Sequence, residues 1–210
     1  MRARLNRASA PFSDRCMKVP QPEVSQDDDA ALLESYAQGD PAAARLLAQR
    51  LTPRLYAHAF RVLGDGAEAE DVSQEALMRL WRIAPRWRAG EAKVTTWLYR
   101  VVANLCTDRL RKRKTTPLED VAEPVDPAPS APARLQQVSR EHALQAALDQ
   151  LPVRQRQAVV LRHIDGLANP EIAAILGVGV EAVESLTARG KRALSAQLSG
   201  KREALGYEDE

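Results

Sequence analysis

From Asp27 onward, Leu and Ala recur three and four positions apart in DDDAALLESYAQGDPAAARLLAQRLTPRLYAHAFRVLG. That spacing predicts helices burying one stripe each. Gly39-Asp40-Pro41 predicts a stop and restart, with Asp40 as cap and Pro41 in the first turn. Gly64-Asp65-Gly66 predicts the next break. AEAEDVSQEALMRLWRIAPRW then reads as a third helix ending near Ala84, because Pro85 cannot continue it. Its inward stripe is Val72, Ala76, Leu77 and Leu80; Asp71, Gln74, Glu75, Met78, Arg79 and Arg82 fall outside. A fourth helix, capped by Thr95 or Thr96, has Leu98, Val101, Val102, Leu105 and Cys106 inward and Trp97, Arg100, Asn104, Thr107 and Arg111 opposite.

The period then stops. TTPLEDVAEPVDPAPSAPA holds five prolines and four acids, and predicts a linker over 115–138 that joins two bodies without packing on either. Those bodies should move independently, and mild protease should separate them. Helical spacing resumes at Ser139, is punctuated by Pro152, and passes through turns at Asp165-Gly166 and Gly177-Val178-Gly179 into a long final helix. Residues 1–26 and 199–210 read as a disordered tail and a polar tail.

Composition supports an all-α fold of two small helical domains. Of 210 residues, 35 are Ala and only nine are aromatic, which suits helices and not a sandwich or barrel. Two cysteines, Cys16 and Cys106, exclude a disulfide framework. No apolar run has the length of a membrane span, and no N-terminal h-region suggests secretion.

The formal charge of +2 hides an uneven distribution. Residues 27–90 carry ten acids and eight bases, whereas 91–114 carry seven bases against Glu91 and Asp108. Basic residues beside Trp87, Trp97 and Tyr99 combine phosphate attraction with stacking surface, as single-stranded DNA requires. The alternative is that these rings fill the bundle core. The outer face of the third helix, with Gln74, Glu75 and Met78, suits either solvent or a docking partner helix.

Residues 169–186 fit a helix-turn-helix. Ala173 allows close helix approach, Gly177 supplies a left-handed turn residue, and Ile172, Leu176, Val178, Val183 and Leu186 form the small core. The second helix of such a unit lies in the major groove. Arg189, Lys191 and Arg192 suit phosphates, while Glu181, Glu184, Ser185 and Thr187 can face bases. Scattered His58, His142 and His163, with no metal-ligand spacing and no glycine-rich phosphate loop, speak against an enzyme and against a metal or other cofactor.

In this order, the three pieces resemble sigma-70-type alternative sigma factors of the extracytoplasmic-function group over 27–114 and 139–198. The resemblance implies docking on the β′ clamp helices of RNA polymerase core by Asp71, Val72, Gln74, Glu75, Met78 and Arg79, with further contact to the β subunit. It implies minus-ten promoter DNA for Arg88, Lys93, Thr96, Trp97, Arg100, Asn104, Arg109 and Arg111. Leu151-Pro152, with Arg154 and Arg156, and the helix-turn-helix resemble the minus-thirty-five reader, with Arg154, Glu181, Glu184, Ser185, Thr187, Arg189, Lys191 and Arg192 as its contacts. Gly179, Ala182 and Glu184 depart from the usual residues of that helix. An anti-sigma factor as partner, a cytoplasmic location and no membrane insertion follow from the same resemblance. Two other readings remain: a stand-alone helix-turn-helix regulator, and a sigma mimic that only sequesters an anti-sigma factor.

Overall fold

The computed structural model describes residues 26–115, except 89 and 91, and residues 132–199. Both expected tails, apart from Gln26 and Ser199, lie outside the described residues, as do positions 116–131 of the linker. Within the described residues all regular structure is helical: α1 (Gln26–Ala37), α2 (Pro41–Leu63), α3 (Gly66–Ile83), α4 (Val94–Thr115), α5 (Pro132–Asp149), α6 (Val153–Val159), α7 (Asn169–Leu176) and α8 (Val180–Ser199). A short 3-10 turn, Ala84–Arg86, follows α3, and a π-helical turn, Val160–Ile164, extends α6.

The breaks fall where the punctuation places them. Asp40 accepts from the Ala42 N–H at 2.9 Å with Pro41 opening α2. Gly64 closes α2 at φ +70°, in the left-handed region, and Asp65 caps α3 through the Glu68 N–H at 2.9 Å. Two boundaries differ from expectation. α4 starts at Val94, so Thr95 and Thr96 lie inside it; the Trp97 N–H bonds back to the Lys93 carbonyl instead. α5 starts at Pro132, well before Ser139, because proline is as compatible with a first helical turn as with a linker.

The α1–α4 body encloses one apolar cluster containing Leu33, Leu47, Leu55, Val72, Leu80, Leu98 and Val102. In the second body, Leu148, Leu151, Val159 and Val160 form a smaller cluster with Leu194 beside it. There, α8 crosses α6 at Gly190, where a Cβ would come within 2.5 Å of Val159 Cγ2. Only a glycine allows that approach.

A third cluster lies between the two bodies. Tyr99 and Ala103 of α4 pack with Leu161, Ile172, Ile175 and Val183 of the second body. Tyr99 and Ala103 lie on a side of α4 that is neither the inward stripe nor the polar face. A two-sided helical wheel hides such a third contact.

Candidate polymerase and nucleic-acid interface

Three surfaces carry the sequence-derived sites. On α3, Asp71, Gln74 and Met78 are exposed, and Glu75 and Arg79 are half-buried and paired at 2.8 Å across one turn. That pairing draws the Glu75 carboxyl below its usual range. Met78, at 49% exposure, is an apolar knob among these charges. Val72 is fully buried in the core and cannot contact a partner; it belongs to the inward stripe alone.

The second surface is the loop after α3 together with α4. Ile83, Trp87, Ala92 and Trp97, ringed by Arg82, Arg86 and Arg88, line a surface pocket of about 270 Å³. Trp87 and Trp97 meet edge to face at 6.2 Å, and Trp87 Nε1 is buried without a hydrogen-bond partner. Both rings also rest on the first body's core, so the two readings of Trp97, core filler and stacking surface, are not exclusive. Arg82 and Arg86 were absent from the expected contacts. The alternation Arg86-Trp87-Arg88 was the available signal.

Further along α4, Arg100 and Asn104 are exposed, Thr96 is half-buried, and Arg111 is exposed and paired with Asp108 at 3.1 Å. Arg109 instead approaches Asp71 of α3 at 3.5 Å, which links the expected docking and DNA sites. Arg113 is held by Asp65, Glu68 and the Leu63 carbonyl, so part of the basic run braces the bundle. Lys93 pairs with Glu171 of α7 at 2.8 Å. Tyr99 is buried against the second body and is no stacking platform; desolvation there pushes its phenol above the usual range. Cys106 is buried in the core, and its thiol is pushed up to about 12 by desolvation.

The third surface is the helix-turn-helix. Gly177 has φ +64° and carries the sharp turn, as its position implied. Ile172 and Val183 are fully buried, Leu176, Val178 and Leu186 are half-buried, and Ile175 and Leu161 complete a core that the expected set lacked. Glu181, Glu184, Ser185, Arg189, Lys191 and Arg192 are exposed on α8, and Arg154 is exposed on α6. Thr187 is a correction: its Oγ1 is buried without a partner, because it shares the face that Gly190 brings against α6. Arg156, outside the expected contacts, has a structural role instead. It is 5% exposed, with one guanidinium nitrogen on the Val62 carbonyl and on Asp149 and the other on the Asp149 carbonyl. Burial lowers its pKa, and the Asp149 charge works the other way.

A four-helix body bearing an aromatic pocket, joined to a helix-turn-helix body, defines a two-part helical transcription factor. Family models for Sigma-70 region 2 and Sigma-70, region 4 match residues 47–116 and 141–194. The chain belongs to the sigma-70 family, within its extracytoplasmic-function group. It is 37% identical over 173 residues to the ECF RNA polymerase sigma factor SigM of Mycobacterium tuberculosis, covering 81% of this chain and 84% of that one. It is 35% identical over 157 residues to the corresponding SigE of Mycolicibacterium smegmatis, covering 73% of this chain and 60% of SigE. Among solved structures it is similar to CnrH in complex with the cytosolic domain of CnrY, with TM-score 0.63 and 28% identity over 83% of this chain and 99% of CnrH. The family is one of transcription factors, not of enzymes. Among the described residues no helix is long and apolar enough to cross a membrane.

Proposed function

We propose that this chain binds RNA polymerase core in the cytoplasm through the outer face of α3 and positions it on promoters through two DNA readers. Asp71, Gln74, Glu75, Met78 and Arg79 would meet the β′ clamp helices, since they project outward while their neighbours fill the core. The β subunit would bind the assembled factor as well. The observation that carries the reading is the pocket between Trp87 and Trp97. It offers ring faces and three guanidinium groups in one place. Unstacked bases of a melted minus-ten strand bring π-faces, phosphates and acceptors, which those groups recognise. Arg88, Lys93, Thr96, Arg100, Asn104 and Arg111 would flank that strand, and exposed α8 residues would read the minus-thirty-five duplex. An anti-sigma factor is the regulator this reading expects; CnrH, solved with the cytosolic domain of CnrY, gives a parallel.

The test is run-off transcription with purified core enzyme on genomic promoter fragments. Discrete transcripts that require the chain are expected. Asp71→Ala with Gln74→Ala should reduce core binding at unchanged helicity. Absence of any dependent transcript would favour a sequestering mimic, and binding of duplex without core would favour a stand-alone regulator.

A further inference from the structure

The two helices of the helix-turn-helix share one polar contact outside their core. Asn169, the first residue of α7, donates from Nδ2 to Glu184 Oε1 of α8 at 3.4 Å, on the exposed side. α8 packs through Val183 and Gly190, which are buried, with Leu186, Thr187 and Leu194 half-buried beside them. At 3.6 residues per turn, Glu181, Glu184, Ser185, Ala188 and Arg192 fall on the opposite side, and all five are exposed.

Charge along that outer face is sorted by position. Glu181 and Glu184 occupy the N-terminal half, and the cations begin only at Arg189. The N-terminal half of such a helix faces base edges, while cations further along suit phosphates. Glu181 stands in the first turn, where the helix dipole accounts for a negative charge. Glu184 lies a turn further in, beyond that effect, and a side chain of the other helix aims its carboxylate.

A carboxylate can only accept hydrogen bonds. With Oε1 engaged by Asn169, Oε2 stays open to a further donor. In the major groove guanine presents N7 and O6, and thymine presents O4, all acceptors that a carboxylate repels. Adenine offers its N6 amino group with the N7 acceptor beside it. Cytosine offers its N4 amino group with no acceptor on its own edge.

We propose that Glu184 is a specificity-determining residue that selects cytosine in the duplex it contacts, with Asn169 as its positioning residue. This selection rests on the proposed reading of α8 as the minus-thirty-five reader.

The experiment selects active promoters from a library randomised across the minus-thirty-five element, transcribed by core polymerase with the full chain. The unaltered chain should favour cytosine about tenfold at one position. Glu184→Ala should abolish that preference, and Glu184→Lys should move it to guanine, whose O6 and N7 accept from an ammonium. Asn169→Asp keeps a residue suited to a helix start but removes the donor, so the same preference should fall about threefold. Helicity by circular dichroism should be the same in all three variants. If Asn169 served helix stability alone, its substitution would leave base preference where it was. Core-dependent transcription whose base preference is the same with Glu184, Ala or Lys at this position would overturn the cytosine assignment and leave the sigma-factor reading standing. Unchanged preference in Asn169→Asp would overturn the positioning role alone. No core-dependent transcript from any library member would overturn the sigma-factor reading and the cytosine assignment together.

Discussion

The interior of the first body and the seam between the bodies are both buried, yet they are made of different things. Inside α1–α4 the contacts are Leu, Val and Ala, with Leu33, Leu47, Leu80 and Leu98 fully removed from water. At the seam, His58 is as buried as those leucines and Gln157 and Arg156 nearly so, and the apolar contribution from α4 is Tyr99 and Ala103. Apolar burial has no competitor in water, so a core of that kind holds at all times. Hydrogen bonds exchange with water at small net gain, so a polar seam can part without unfolding either side. Permanence and switchability are therefore assigned by residue type.

The sharpest way to break the comparison is to damage the core. Leu98→Ala should cost about 2–5 kcal/mol, from lost burial and the cavity left behind. Denaturant unfolding should show the loss in the whole α1–α4 body. If Leu98→Ala were no costlier than a seam substitution, the distinction would collapse.

Next in size is Gly190→Leu, which drives a side chain into Val159 and the Gln155 carbonyl. Overpacking of this kind costs about 1–3 kcal/mol. The loss should appear in the thermal unfolding of α6 and α8, with α1–α4 unaffected.

Asp165→Ala should separate the two regions most clearly. It strands the His58 Nδ1–H in the closed state, a penalty of about 1–3 kcal/mol that opening relieves. Hydrogen exchange should therefore quicken at amides near the α4–α7 contact, while amides packed around Leu80 keep their protection. Equal acceleration in both places would mean that the seam and the core form one cooperative unit.

The smallest effect is pH dependence. Lys93, through its hydrogen bond, and then the Ala168 N–H hold the Glu171 carboxyl below its ordinary 4.5. A carboxyl lowered in the folded state contributes stability above its unfolded pKa and loses it as pH falls through the folded value. The Lys93 share belongs to closure, so closure should weaken slightly below about pH 4.5. Scattering across pH 3.5–6 would read it, and Glu171→Gln should flatten the response.

Much of the architecture was legible in the sequence because its signals are local. Asp40, Gly64 and Asp65 act within a turn of their own helix ends, and Gly177 adopts the left-handed conformation that its place between two apolar stripes demanded. The outward set on α3 is the complement of a stripe that a 3.6-residue period defines, which is why Asp71, Gln74 and Met78 fall outside and Val72 inside; the docking role of Val72 came from the family resemblance alone. Thr187 was misplaced, and the buried role of Arg156 missed, for a different reason: polar residues read as surface unless a distant acceptor or a close helix crossing makes their burial possible.

The sequence by itself determined most helix ends, though not the starts of α4 and α5, which stripes face inward, and which surfaces carry cations beside aromatic rings. All of these follow from neighbours within a few positions along the chain. Only the tertiary structure decided that His58 meets Asp165, 107 positions away, that Gln157 reaches the Ala103 carbonyl, and that Tyr99 is shared between the bodies. Backbone carbonyls are the same at every position, so no periodicity marks the one that a distant side chain will reach. A polar residue becomes a buried contact only when two bodies, each already folded, come together.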